Sequence, residues 1–325
     1  MTSKEIVRAA MCFQTPERLP LRFPSLGATD FAGVGWKQPG TGDHSKRRTT
    51  DNWGCVWGRT EVKNMGQIVG HPLDSWHKFD GYRPPDPDDP SLYEGMAAQF
   101  EGIEDKFIGT GIFMVLFERL HGLRGFENAL TDLYLERENI EALADIIVDF
   151  DLRLIGNISE RFPGMIDGIG FSDDWGTELD TFISPELFRE FFLPRYAKIV
   201  DACHAAGWLV TLHSCGKVNK FIPLFIEAGF DCLNLQQPRA LGIEEIGRLH
   251  AGKICFESLC DIQHTLPFLG KDEIEAEAKL LLEHWGTPAG GFILGDYGDD
   301  AAIGVTGNKK QWMFDAFTRF DPWVK

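Results

Sequence analysis

The chain has 325 residues, with 32 Lys plus Arg against 49 Asp plus Glu and a net charge of -17. It is long enough for one large barrel or two ordinary domains, and too acidic for a nucleic-acid groove or an anionic membrane surface. Its apolar runs, such as Gly111 to Leu116, are far too short to cross a bilayer, and seven scattered cysteines with nothing like a signal peptide before the first helix point to a reducing cytoplasm.

Thr2-Ser3-Lys4-Glu5 reads as a capping box opening a helix through about Cys12, which Pro16 stops. Leu19 to Phe23 is the first expected strand. Gly27 to Thr50, rich in Gly and polar residues, reads as a loop over a site. Trp53 to Gly58 is expected to pair as a small hairpin with the Val62 to Val69 region. The proline run Pro84 to Pro90 then separates an irregular N-terminal part, residues 1–90, from a regular remainder, 91–325.

From Lys106 onward short apolar strands alternate with amphipathic helices. Strands are expected at Phe107–Phe113, Ile166–Phe171, Leu209–His213, Cys232–Leu235, Ile254–Glu257 and Phe292–Leu294. Between them, helices are expected at Arg137–Arg161, from Ser184-Pro185 to about Ala206, and near Val218–Ala228, Ile243–His250 and Asp272–His284. Seven strands in this rhythm, with an eighth hidden in the N-terminal part, predict an α/β fold, a (β/α)8 TIM-type barrel with an irregular N-terminal excursion. An open doubly wound sheet would carry a Gly-rich phosphate turn after its first strand, and the sequence has none.

A barrel of this kind places its chemistry at the C-terminal strand ends. Those ends are polar here: Ser172, Asp173 and Asp174; His213 and Cys215; Asn234, Gln236 and Gln237; Glu257, Cys260 and Asp261; Asp296 and Tyr297. If Val210 and Leu212 face the outer helices, Thr211, His213 and Cys215 share the inner face. An imidazole beside a thiolate suits zinc with an open position, although His-x-Cys equally fits two ordinary residues at the start of a loop. Cys255 or Cys260 could complete such a site, Glu257 or Asp296 could give an oxygen ligand, and Asp174 could orient a metal-bound imidazole or bind a substrate hydroxyl. Arg124 before Gly125 fits a carboxylate clamp or a solvated helix end. Trp36, Trp53, Trp57 and Trp76 fit a pocket for a flat substrate or a glued lid.

Five stretches together resemble the uroporphyrinogen decarboxylase superfamily, and within it the methyltransferase-like branch. They are Asp51-Asn52-Trp53-Gly54-Cys55-Val56-Trp57, Ser172-Asp173-Asp174-Trp175-Gly176-Thr177, Ile183-Ser184-Pro185-Glu186, His213-Ser214-Cys215-Gly216 and Asp261-Ile262-Gln263-His264-Thr265-Leu266-Pro267. The porphyrin decarboxylases of that superfamily grip carboxylates with an Arg-Gln-Ala-Gly-Arg segment, near whose place this chain has Leu21-Arg22-Phe23-Pro24-Ser25. Its corrinoid-linked methyltransferases bind zinc through His-x-Cys and a distant cysteine between glycines. His213 and Cys215 match the first two, while Gly295-Asp296-Tyr297-Gly298 stands at the third place.

The resemblance therefore implies a zinc-dependent methyltransferase that moves a methyl group from a small methylated substrate, such as an aryl methyl ether, to a corrinoid carried by a partner protein. A homodimer is implied in the same way. The expected zinc ligands are His213, Cys215 and Cys260, the expected catalytic carboxylates Asp174 and Glu257, and the expected substrate contacts Trp53, Arg124, Asn234, Gln236 and Tyr297. Two further readings are a metal-independent decarboxylase using Asp174 and Arg124, and a non-catalytic barrel that binds a tetrapyrrole, a corrinoid or a partner protein.

Overall fold

The computed structural model describes residues 1–38, 47–59 and 66–324. Its twelve strands in chain order are β1 (Arg22–Phe23), β2 (Ala28–Thr29), β3 (Phe31–Gly33), β4 (Arg48–Thr50), β5 (Val56–Gly58), β6 (Gln67–Gly70), β7 (Phe107–Ile112), β8 (Gly168–Ser172), β9 (Leu209–His213), β10 (Cys232–Asn234), β11 (Cys255–Ser258) and β12 (Phe292–Leu294). Seven of them form one parallel sheet in the order β12-β11-β10-β9-β8-β7-β3. Leu21 closes it: it makes a parallel bridge to Leu294 at one edge and accepts the Asp30 N–H at 2.7 Å at the other. The result is an α/β TIM-type barrel with Leu21 at the seam between β12 and the start of β3.

The six strands expected from Phe107 onward are present within two residues at each end, the usual scatter of boundaries, while Leu19–Phe23 and Trp53–Gly58 shrink to Arg22–Phe23 and Val56–Gly58. The eighth strand differs. Phe31-Ala32-Gly33 lies inside the stretch expected to be loop, yet it pairs in parallel with Phe107-Ile108-Gly109 as a stave of the barrel. Its three-residue length, its glycine and its lack of β-branched residues hide it from any periodicity argument. Helices at Phe117–Arg124, Phe126–Leu135 and Lys309–Arg319 also go beyond the sequence pattern. Residues 62–65 of the expected hairpin arm, and 39–46 of the expected loop, lie outside the described residues. The described parts form an antiparallel sheet, β4-β5-β6.

The core lies between the sheet and its outer helices. Along Arg137–Arg161, Ile140, Leu143, Ile147 and Leu154 have no exposed surface, so one stripe of the helix is fully dry. At the lower end of the bore, the helix Ser3–Met11 places Val7 and Met11 against Phe107, Cys232, Cys255 and Ile293, forming an apolar plug. Thr2 caps this helix with the expected capping box. None of the described helices is long and apolar enough to cross a membrane.

Closure of the barrel depends on Asp30, which is 2% exposed. Its carboxylate accepts hydrogen bonds from Arg18 at 2.6 and 2.8 Å, from the Ser3 hydroxyl at 2.7 Å and from the Leu21 N–H at 2.9 Å. Burial alone would raise its pKa, but these donors outweigh it and hold the carboxyl below the ordinary carboxylate value. Because the folded-state pKa is depressed, the stabilisation is present above the unfolded value and is lost as pH falls through the folded one. Asp30→Asn is expected to destabilise the protein by about 1–3 kcal/mol at pH 7. In urea titrations the gap between variant and wild type should close on acidification, and a gap independent of pH would refute this role for the carboxylate.

Candidate active site

Two loops build the site, and two glycines let them cross. A Cβ on Gly176 would lie 2.7 Å from the Lys217 nitrogen and 3.0 Å from the Cys215 carbonyl oxygen. Gly216, at φ +82°, would put a Cβ 2.3 Å from the Gly176 oxygen. Only glycine at both positions allows this approach. The crossing brings the loop after β8 against the loop after β9, so that Asp174 Oδ1 accepts the Cys215 N–H at 2.8 Å. Trp175 anchors the first loop from behind: it is fully buried, stacks on Phe117 at 4.1 Å and donates its indole N–H to the Tyr196 hydroxyl at 2.9 Å.

The alternation expected along β9 holds. Val210 and Leu212 are buried under the outer helices, while Thr211 and His213 point into the bore. His213 Nε2 lies 3.4 Å from Cys215 Sγ and 3.7 Å from Asp174 Oδ1. Donor atoms of Asp174, His213 and Cys215 all fall within 4.8 Å of one another, the one such group among the described residues. Burial, followed by the charge of Asp174, raises the Cys215 thiol pKa, so the thiolate needs a cation beside it.

The other imidazole nitrogen is fixed by a chain of side chains on neighbouring strands. Glu257 Oε1 accepts from the Asn234 amide nitrogen at 2.8 Å, and Asn234 Oδ1 lies 2.7 Å from His213 Nδ1. The amide orientation that satisfies Glu257 leaves only an acceptor for Nδ1, so Nδ1 carries the proton and Nε2 keeps a free lone pair facing Cys215 and Asp174. Arg22 Nη1 lies 3.3 Å from Glu257 Oε2 and ends the chain. A nitrogen, a sulfur and an oxygen donor with an ordered second shell form a set that fits zinc with a position left open.

Asp173 faces away from the group. Its carboxylate accepts the N–H groups of Leu116 at 3.0 Å, Phe117 at 2.8 Å and Glu118 at 2.5 Å, together with the Tyr196 hydroxyl, and so caps the helix Phe117–Arg124. That cap aims Glu118 back at the mouth, where it accepts from the Ser172 hydroxyl at 2.9 Å. Burial, then the charges of Asp173 and Asp174, push the Glu118 carboxyl up to about 8, so it carries a proton at neutral pH. Sequence reasoning gave Glu118 no role. The available signal was its position just past the end of a barrel strand.

The structure does not bring Cys260 to His213 and Cys215. Cys260 is fully buried, with its N–H 3.3 Å from Met313 Sδ and its Sγ 3.5 Å from the Ile274 carbonyl oxygen. Cys255 belongs to the lower plug. Asp296 is held by Lys310 at 2.6 Å and by the Ser25 N–H at 3.1 Å. Asp174, expected as a catalytic carboxylate that orients the imidazole or binds substrate, is the group that stands with His213 and Cys215 instead. Arg124 is buried and bonded to Asp132 at 2.6 Å, with no cation left for a substrate carboxylate. Trp53 is 5% exposed, packed on Phe150 at 4.8 Å beside the Asp51–Arg119 ion pair. Among the other expected contacts, Asn234 is at the site, Tyr297 is half-buried close enough for the Cys215 charge to act on it, and Gln236 is half-buried just beyond β10.

The sequence matches the family Uroporphyrinogen decarboxylase (URO-D) over residues 65–299. No curated protein matches it. Among solved structures, the fold is similar to that of a methyltransferase from Methanosarcina mazei, with a TM-score of 0.71 and 16% sequence identity over 98% of this chain and 99% of that one.

Proposed function

This chain belongs to the uroporphyrinogen decarboxylase (URO-D) family, and from that premise we propose that it is a zinc-dependent methyltransferase, moving a methyl group from a small methylated substrate to a corrinoid carried by a partner protein. The observation that carries the reading is the convergence of Asp174, His213 and Cys215 at the barrel mouth. The same arrangement disfavours the decarboxylase reading, because Arg124 is consumed by Asp132.

Asp174, His213 and Cys215 would hold the zinc, which supplies a Lewis acid for the oxygen that loses the methyl group. Each remaining task falls to the chain itself. Asn234 and Glu257 keep the Nε2 lone pair of His213 turned toward the donors and act as positioning residues. Asp174 holds the Cys215 backbone through its N–H, fixing the thiol. Glu118, protonated near neutrality and steadied by Ser172, is placed to hand its proton to the departing oxygen. Glu118→Gln keeps the acceptor for Ser172 but has no proton to give. Turnover is expected to fall by about 100-fold or more with zinc content unchanged, and equal turnover would remove Glu118 from the mechanism.

The proposal as a whole is tested by zinc analysis of protein purified under reducing conditions, followed by methyl transfer from methoxylated donors to reduced cobalamin, read from its absorption spectrum. One zinc per chain, lost together with transfer in Cys215→Ala, is expected. Wild-type protein that takes up no zinc would sink it.

A further inference from the structure

One wall of the mouth is fastened by a buried lysine. Lys310, in the first turn of the helix Lys309–Arg319, is 7% exposed. An ammonium has three hydrogens to donate, and the loop after β12 supplies three acceptors. Nζ donates to Asp296 Oδ1 at 2.6 Å and to the Tyr297 carbonyl oxygen at 2.5 Å, and it lies 2.6 Å from Asp300 Oδ1. The bonding capacity of the buried cation is thus spent on residues 296–300.

The same loop is pinned to the barrel on its other side. Asp296 Oδ2 accepts the Ser25 N–H at 3.1 Å, and the Gly295 N–H reaches the Ser258 carbonyl oxygen at 2.8 Å. A Cβ on Gly295 would lie 3.4 Å from Glu257 Cγ, so the loop runs over the side chain that steadies Asn234 and, through it, His213. Tyr297 then packs half-buried against the core. Burial, followed by the charge of Cys215, raises its phenol pKa, which places the ring within electrostatic reach of the thiol.

The helix does not need the cation as an anchor. Met313, Ala316 and Phe317 dock it with no exposed surface. A buried ion pair is commonly no more stabilising than well-packed apolar side chains of the same volume, so a lysine at this place does something other than add stability. What it adds is direction, because its three acceptors fix the path of the loop.

We infer that Lys310 is a positioning residue that holds Tyr297 as a fixed wall over Cys215, so that the thiol is reached only by compounds small enough to pass that wall. The inference goes beyond the methyl-transfer reading and does not depend on it, since it concerns access to the side chain and not the reaction carried out there.

Mass-spectrometric mapping of cysteine alkylation on the metal-free full chain tests it, with iodoacetamide as the small probe and a pyrene-bearing iodoacetamide as the bulky one. In the wild type, Cys215 is expected to take the bulky probe about tenfold more slowly than the small one, and in Lys310→Met the bulky probe should react about tenfold faster than in the wild type. Tyr297→Ala should do the same, and the double variant should be no faster than either single one, because both changes remove one wall. Cys55 and Cys203 have no exposed surface and report general loosening, so they should stay unlabelled. Unchanged labelling in Lys310→Met, a rise shared by Cys55 and Cys203, or effects that multiply in the double variant would overturn the inference. If Lys310→Met does not fold, Asp300→Ala removes one acceptor on the exposed side and should speed bulky labelling of Cys215 about threefold, and no change there overturns the inference equally. No metal enters the measurement, so a chain that takes up no zinc would sink the metal reading and leave this result standing.

Discussion

Replacing His213 by alanine is expected to strip the protein of zinc and abolish methyl transfer while leaving the fold intact. The imidazole sits at the end of β9 and is partly exposed, so removing it opens a polar mouth and does not hollow a core. The loss to metal binding is of another order. His213 contributes the one donor whose lone pair is directed by a dedicated chain, Glu257 to Asn234 to Nδ1. Asn234→Ala breaks only that orientation and should cost about 10- to 100-fold in zinc affinity, whereas His213→Ala should cost more. Competition titrations with a chromophoric chelator give both numbers. If Asn234→Ala binds zinc as tightly as wild type, the imidazole is not held as described. If His213→Ala does so, the ion lies elsewhere.

Asp173→Ala should be the most damaging single change to stability near the site. The side chain is fully buried and accepts three backbone N–H groups at the start of the helix Phe117–Arg124, plus the Tyr196 hydroxyl. Burial raises its pKa to about 7 against the pull of those donors. Alanine would leave all of them unpaired in a dry place, for a loss of about 3–5 kcal/mol. Thermal unfolding should register this as a melting temperature lower by about 5–10 °C. The same substitution frees Glu118 from its aim, so turnover per folded molecule should also fall. A variant that melts with the wild type would show that water or a local shift replaces the cap.

Both predictions depend on features that the sequence revealed unequally. Strands β7 to β12 are legible because short apolar runs between helices of regular period are the pattern of strands buried in a parallel sheet, and the face of β9 that carries His213 follows from strict alternation. β3 is not legible, since Phe31-Ala32-Gly33 is too short and too mixed in size to show a period. The third donor was hidden for a different reason. Asp174 and Cys215 stand 41 positions apart, and only the Gly176–Gly216 crossing, a contact between two irregular loops, brings them together. Cys260 shows the converse. Its distance along the chain from Glu257 allowed a return to the mouth, but the turn after β11 carries it into packing with Met313 and Ile274 instead. Loops have no periodicity, so direction beyond a strand end is set by packing partners far away in sequence. The family stretches are nonetheless informative, since several are structural. Asp51 gathers the Trp53 and Cys55 N–H groups and the Trp57 indole, and Asp261 accepts from the N–H groups of Gln263 and His264.

The plug made by Val7 and Met11 at the lower end of the bore has a consequence for the order of events. With that end shut, the doorway is the mouth at the donor end, and a compound that enters there passes the donors on its way in and again on its way out. A macromolecule large enough to cover the doorway cannot share it with a small compound in transit. Substrate must arrive before such a partner docks, and the spent compound must wait until the partner has left. The topology itself thus imposes a queue, and steady-state kinetics would report it as a compulsory sequence of binding and release.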